Sequence, residues 1–145
     1  MEIHKFQIAK VQLDDAILCF IEEKYISSLT LAGASEEILG KLSERYCDKK
    51  SSYNSLMDLL ENKLPNKKVK INLSRNALKH ADNKNEDEIE FFPEVEAMIM
   101  ILRAINNYYN FSESAQYKLP SIDIFLEKVS SHELVNNQNL KFYFL

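Results

Sequence analysis

Glycine is nearly missing from this 145-residue chain: it has two, with three prolines and no tryptophan. Sandwiches and barrels turn back on themselves often and draw on glycine and proline to do so, so this scarcity argues against an all-β fold and for long helices joined by few loops. Cysteine is scarce as well. Cys19 and Cys47 have neither the number nor the spacing of a disulfide framework or a metal-ligand set, and Cys19, within Ala16–Ile21, reads as a small apolar residue. A basic surplus is lacking too, since the formal net charge is −4. Proteins that grip duplex DNA non-specifically carry a basic face, so no duplex partner is expected. The short lysine clusters, Lys49-Lys50 and Lys67-Lys68-Val69-Lys70, read as solvated loops. No apolar run is long enough to span a bilayer and no leader-like segment opens the chain. The expectation is therefore a cytoplasmic protein with no membrane partner.

What the chain does have is helical periodicity, and it points to an all-α fold: one domain over residues 1–145, a bundle of five to six helices. Leu13, Ala16, Ile17, Phe20 and Ile21 place a first helix from about Lys10 to Lys24. A second runs from about Ile26 to Tyr46 and holds both glycines, Gly33 and Gly40, seven apart and so on one face. A glycine inside a helix costs roughly 1 kcal/mol against alanine, so a closely approaching neighbour is expected to compensate. Tyr53, Leu56, Met57, Leu59 and Leu60 give a third helix from Ser52 to Lys63. A fourth is expected to start near Asn72 or Ser74 and to carry Arg75 through Ala81. Pro93, at a favoured first helical position, opens a fifth, whose Ala97–Ile105 stretch is the expected centre of the core. Pro120 opens a sixth, reaching about Val129. The apolar ending Phe142-Tyr143-Phe144-Leu145 is expected to pack on the domain or on a second subunit.

Few residues speak of chemistry. The acidic pairs Asp14-Asp15 and Glu36-Glu37 point apart on a helix and do not chelate. No Glu-x-x-His pairs occur, so no metal and no cofactor are expected. His4 and His132 fall in segments with no strong pattern. Tyr108-Tyr109, at a helix end, reads as one core and one rim residue.

The pointed feature is Arg75-Asn76-x-x-x-His80. Asn76 and His80 stand four apart, so on a helix they share a face. Arg75 lies about 140° from His80 at roughly 100° per residue, within reach of its long side chain. A guanidinium holds phosphate bidentately and stays charged at every relevant pH; an imidazole moves a proton near neutrality. Near a helix start, free backbone N–H groups would add anion donors. Such parts suffice for metal-independent cleavage of RNA, with His80 taking the proton of a ribose 2′-hydroxyl and Arg75 stabilising charge on the phosphate.

This Arg-polar-x-x-x-His pattern in a small helical domain resembles the HEPN superfamily (higher eukaryotes and prokaryotes nucleotide-binding domains). The resemblance implies a metal-independent endoribonuclease or RNA- or nucleotide-binding protein of toxin or defence type, with a site formed across a homodimer. By transfer, Arg75, Asn76 and His80 form the candidate site, oriented by Glu36 or Glu37, with single-stranded RNA as partner. The segments Leu31–Leu39 and Arg75–Asp82 also look similar to uncharacterised bacterial proteins, some carried on mobile gene cassettes, a likeness that implies no activity. The alternative is a non-enzymatic helical homodimer or interaction module.

Overall fold

A computed structural model describes residues 1–63, 72–81, 87–111 and 118–132. Among them are six helices and no strand: α1 Lys5–Ile21, α2 Tyr25–Tyr46, α3 Ser52–Lys63, α4 Leu73–Ala77, α5 Pro93–Tyr109 and α6 Pro120–Ser130. The all-α bundle expected from the sequence is what the chain forms. The apolar ending and the lysine cluster at 67–70 lie outside the described residues.

Helix α1 begins five residues before the expected Lys10. Phe6 and Ala9 are buried in register with Leu13, Ala16, Ile17 and Phe20, but lysines and glutamine between them mask the period. Its cap was also illegible, because histidine is not a usual cap residue: the Nδ1 of His4 accepts the Phe6 N–H at 3.1 Å. The helix stops at Ile21 rather than near Lys24, and Glu23 takes a left-handed turn at φ 62°. That tight link folds α2 back antiparallel along α1. Small residues let the two approach closely, and serine hydroxyls use the contact: Ser28 donates to the Ala16 carbonyl and Ser35 to the Ala9 carbonyl, both at 2.8 Å.

Helix α5 packs on both α1 and α2. Seven of the nine residues from Ala97 to Ile105 are buried, as expected of the central core helix. Met98 and Ile101 are fully covered, each contributing about 1.5–3 kcal/mol of burial free energy. Aromatic contacts close the bundle in two places. Phe6 stacks on Tyr108 and tilts against Phe111, while Phe20 meets Phe125 of α6 and Tyr25 edge-on. Tyr109, next to the buried Tyr108, is 46% exposed, the expected core-and-rim pair.

Helix α4 is shorter than the sequence suggested. It ends at Ala77, and the chain leaves it through a tightened turn in which the Asn76 carbonyl accepts from the N–H groups of both Lys79 and His80. Leu78 after it still packs on the core, but Lys79, His80 and Ala81 are exposed, so little burial would reward a further helical turn.

Candidate functional site

Helix α2 has a second face, at right angles to the one it presents to α1. Gly33, Glu36, Gly40 and Ser43 follow at helical spacing and meet α4, α5 and the start of α3. Glu36 is the centre of this face, a carboxylate only 2% exposed. Charged groups are almost never buried so deeply unless paired, and Glu36 is paired. Its Oε1 accepts from Arg103 Nη2 of α5 at 2.8 Å and from the Ser52 hydroxyl at 3.1 Å. Its Oε2 faces Arg75 Nη1 at 3.6 Å.

Asn107 stands one turn after Arg103 and continues the network. Its amide nitrogen donates to the Glu36 carbonyl at 3.0 Å, and its Oδ1 accepts the Ser52 N–H at 2.8 Å, fixing the start of α3. Gly40 makes room for this: a Cβ there would lie 2.9 Å from Ser51 Cβ and 3.1 Å from Asn107 Nδ2. The Arg103 guanidinium also reaches α4, where Nη1 donates to Asn72 Oδ1 at 2.9 Å, and it lies over the Tyr53 ring.

Gly33 does for Arg75 what Gly40 does for Asn107. A Cβ at Gly33 would sit 2.4 Å from Arg75 Cδ and 2.6 Å from Cγ, so the arginine stem lies flat on the bare backbone of α2. Both glycines therefore face close neighbours, as expected, but the neighbours are polar side chains rather than an apolar helix face. Arg75 is only 10% exposed. Its Nε and Nη2 donate to Asn76 Oδ1 at 3.3 and 3.2 Å, its Nη1 to the Gly33 carbonyl at 3.5 Å, and Glu37 Oε2 lies 3.8 Å away. Glu37 already holds a cation of its own, Lys41 at 3.0 Å. The hydrogen bond from Lys41 pulls the Glu37 carboxyl below its ordinary range, helped by the charges of Lys41, Arg75 and Lys79 and opposed by burial.

Four of the five residues singled out from the sequence thus come together: Arg75, Asn76, Glu36 and Glu37. His80 follows α4 rather than lying on it, exposed, with its backbone N–H bonded to the Asn76 carbonyl at 3.2 Å. That bond has the i,i+4 spacing of a helix, so His80 stands one turn on from Asn76 although α4 itself ends at Ala77. A five-residue helix also brings little dipole to an anion, so side chains must carry any phosphate binding. They are suited to it: Arg75, Arg103, Lys41 and Lys79 outnumber Glu36 and Glu37 at this corner, in a chain that is acidic as a whole.

The sequence reading missed Arg103, Asn107 and Ser52. A signal was present, since Arg103 is the one full charge within the apolar run Ala97–Ile105, with Asn107 four residues on. His4 lines an open cavity of about 400 Å³ with Phe6, Gln7, Leu42, Tyr46 and Phe111, and none of the candidate site residues borders it. Among the described residues no three His, Cys, Asp or Glu side chains gather as a metal site, and no helix is long and apolar enough to cross a membrane. Compared with known protein families, curated proteins and solved structures, the chain shows no significant match.

Proposed function

We propose that the corner formed by α2 and α4 binds single-stranded RNA and cleaves it without metal, in the manner implied by the HEPN-like motif, within a homodimer. The observation that supports this most is the state of Arg75. Both carboxylates beside it are already neutralised, Glu36 by Arg103 and Glu37 by Lys41, so its own charge is left over for a phosphate. Arg75 is held in place by Gly33 and Asn76, and that rigidity lowers the cost of using it in a transition state. In this reading His80, exposed just after α4, exchanges protons with the substrate. In this mechanism the imidazole removes the ribose 2′-hydroxyl proton, the 2′-oxygen attacks the adjacent phosphorus, and the 5′-oxygen leaves, taking up a proton from water. The products carry a 2′,3′-cyclic phosphate and a 5′-hydroxyl.

The test is a labelled single-stranded RNA pool incubated in chelator with wild type and with His80→Ala. Wild type should leave cyclic-phosphate ends and the variant none, with stability unchanged within about 0.5 kcal/mol, as for an exposed side chain. Intact RNA in both tubes, or equal cleavage in both, ends the enzymatic reading. A second reading has an observation of its own, the near-complete cover of Arg75: the residue is then an architectural clamp holding α4 to α2, and the chain is a non-enzymatic interaction module.

A further inference from the structure

Arg103 touches α2, α3 and α4 at once, although it belongs to none of them. One arm of its guanidinium, Nη2, meets Glu36 Oε1 at 2.8 Å; the other, Nη1, meets Asn72 Oδ1 at 2.9 Å. Asn72 occupies the N-cap position of α4, three before Arg75, with no cap bond from its side chain. Glu36 is the residue whose other oxygen faces Arg75. Arg103 therefore approaches Arg75 by two routes, through the backbone of α4 and through the carboxylate of α2. We infer that Arg103 is a positioning residue: it fixes the α4 start and the Glu36 carboxylate together, so that Arg75 is held at the corner with a charge free for an anion.

Three features carry this. First, the fork is spread over two partners rather than paired with one, a geometry that lysine's single ammonium cannot reproduce. Second, Arg103 is 3% exposed and cannot itself be reached by a polymer, whereas Arg75 is the more open of the two arginines around Glu36. A buried carboxylate shared by two guanidiniums leaves one positive charge in surplus, and the surplus emerges on the open side. Third, Ser52 adds a second bond to the same Oε1 that Arg103 holds, so that oxygen is occupied and Oε2 is the one turned to α4. Its consequence for cleavage rests on the RNA reading; the positioning itself does not.

The experiment follows the Arg75 Nε–H signal by NMR in ¹⁵N-labelled wild type, Arg103→Lys and Ser52→Ala, each below its unfolding temperature. Inorganic phosphate and single-stranded RNA serve as probes. In wild type the Arg75 Nε–H should be as rigid as the backbone and should shift on phosphate addition. In Arg103→Lys it should become mobile and its phosphate response should weaken roughly tenfold, a coupling usual for residues in one network. Cleavage should fall in kcat more than in KM, because a displaced Arg75 still attracts RNA but no longer meets the transition state. Should Arg103→Lys not fold, Ser52→Ala decides by the same signal. An Arg75 signal equally rigid in every folded variant overturns the inference. Loosening as expected, in a wild type that responds to phosphate but does not cut RNA, supports the role of Arg103 and overturns the RNA reading instead; a wild type with no phosphate response overturns the inference as well.

Discussion

The two glycines of α2 make a sharp test, because the harsher clash should cost less stability. At Gly40 an alanine Cβ would lie 2.9 Å from Ser51 Cβ and 3.1 Å from Asn107 Nδ2. Neither can yield cheaply. Ser51 is buried and its N–H is bonded to Glu44, while Asn107 is tied to the Glu36 carbonyl and the Ser52 N–H. Overpacking of this kind typically costs about 1–3 kcal/mol, against about 1 kcal/mol gained from replacing a helical glycine. Gly40→Ala should therefore lose about 0–2 kcal/mol net, a fall in Tm of up to roughly 8 °C for a chain of this size. At Gly33 the overlap is deeper, 2.4 Å to Arg75 Cδ and 2.6 Å to Cγ; these are stem atoms, so the whole Arg75 side chain must leave its seat, which a residue on the five-residue α4 can do by changing rotamer away from α2. What it gives up are ion pairs at 3.6 and 3.8 Å and a long bond to the Gly33 carbonyl at 3.5 Å, and Glu36 keeps Arg103 and Ser52. Gly33→Ala should thus stay within about 1 kcal/mol of wild type, propensity offsetting the loss, while phosphate and RNA binding fall with the displaced Arg75. Urea unfolding followed by far-UV circular dichroism, with RNA binding measured beside it, checks both. A Gly33→Ala cost equal to that of Gly40→Ala would refute the reasoning and favour Arg75 as a clamp; a stabilised Gly40→Ala would refute the rigidity assigned to Asn107.

Glu36→Gln keeps the shape of the buried side chain but leaves Arg103 and Arg75 without their carboxylate, and should cost roughly 3–5 kcal/mol in denaturant unfolding, as breaking a buried pair does. Acid should expose the role of Glu37. Its folded carboxyl sits below the ordinary value of 4.5, so its pair with Lys41 contributes fully above that value and is lost as pH falls through the lower folded value. Lys41→Met should therefore flatten the decline of Tm below about pH 4.3, the reference range for a glutamate, by a small amount because Glu37 is exposed. Light scattering should give a dimer, twice the 16.9 kDa chain mass; the monomer mass at micromolar concentration would count against a site shared between subunits.

The fold was legible because helix periodicity and burial are the same fact seen twice. Pro93 and Pro120 mark the first residues of α5 and α6, and Ala97–Ile105 is the core stretch its apolar pattern indicates. Legibility failed where local pattern and local chemistry disagree. Lys5, Gln7 and Lys10 hide the first turns of α1, and a histidine cap gives no sequence signal. Arg75, Asn76 and the Glu36-Glu37 pair could be named in advance from residue type and spacing. Which glutamate matters could not. Adjacent helical residues point about 100° apart, and only the packing of α5 against α2 puts Glu36 inside with Arg103 and leaves Glu37 at the rim with Lys41.

By itself, then, the sequence determined an all-α chain, its helices in order, the core helix, and two glycines that must face something close. The identity of what they face was a tertiary decision. Arg75 lies 42 residues from Gly33 along the chain and Arg103 67 from Glu36, and no local propensity links residues so far apart. Those partners meet because α2 buries one face against α1 and must cover the other with α4 and α5, where a carboxylate sealed from water is satisfied by the guanidiniums those helices carry and by the Ser52 hydroxyl.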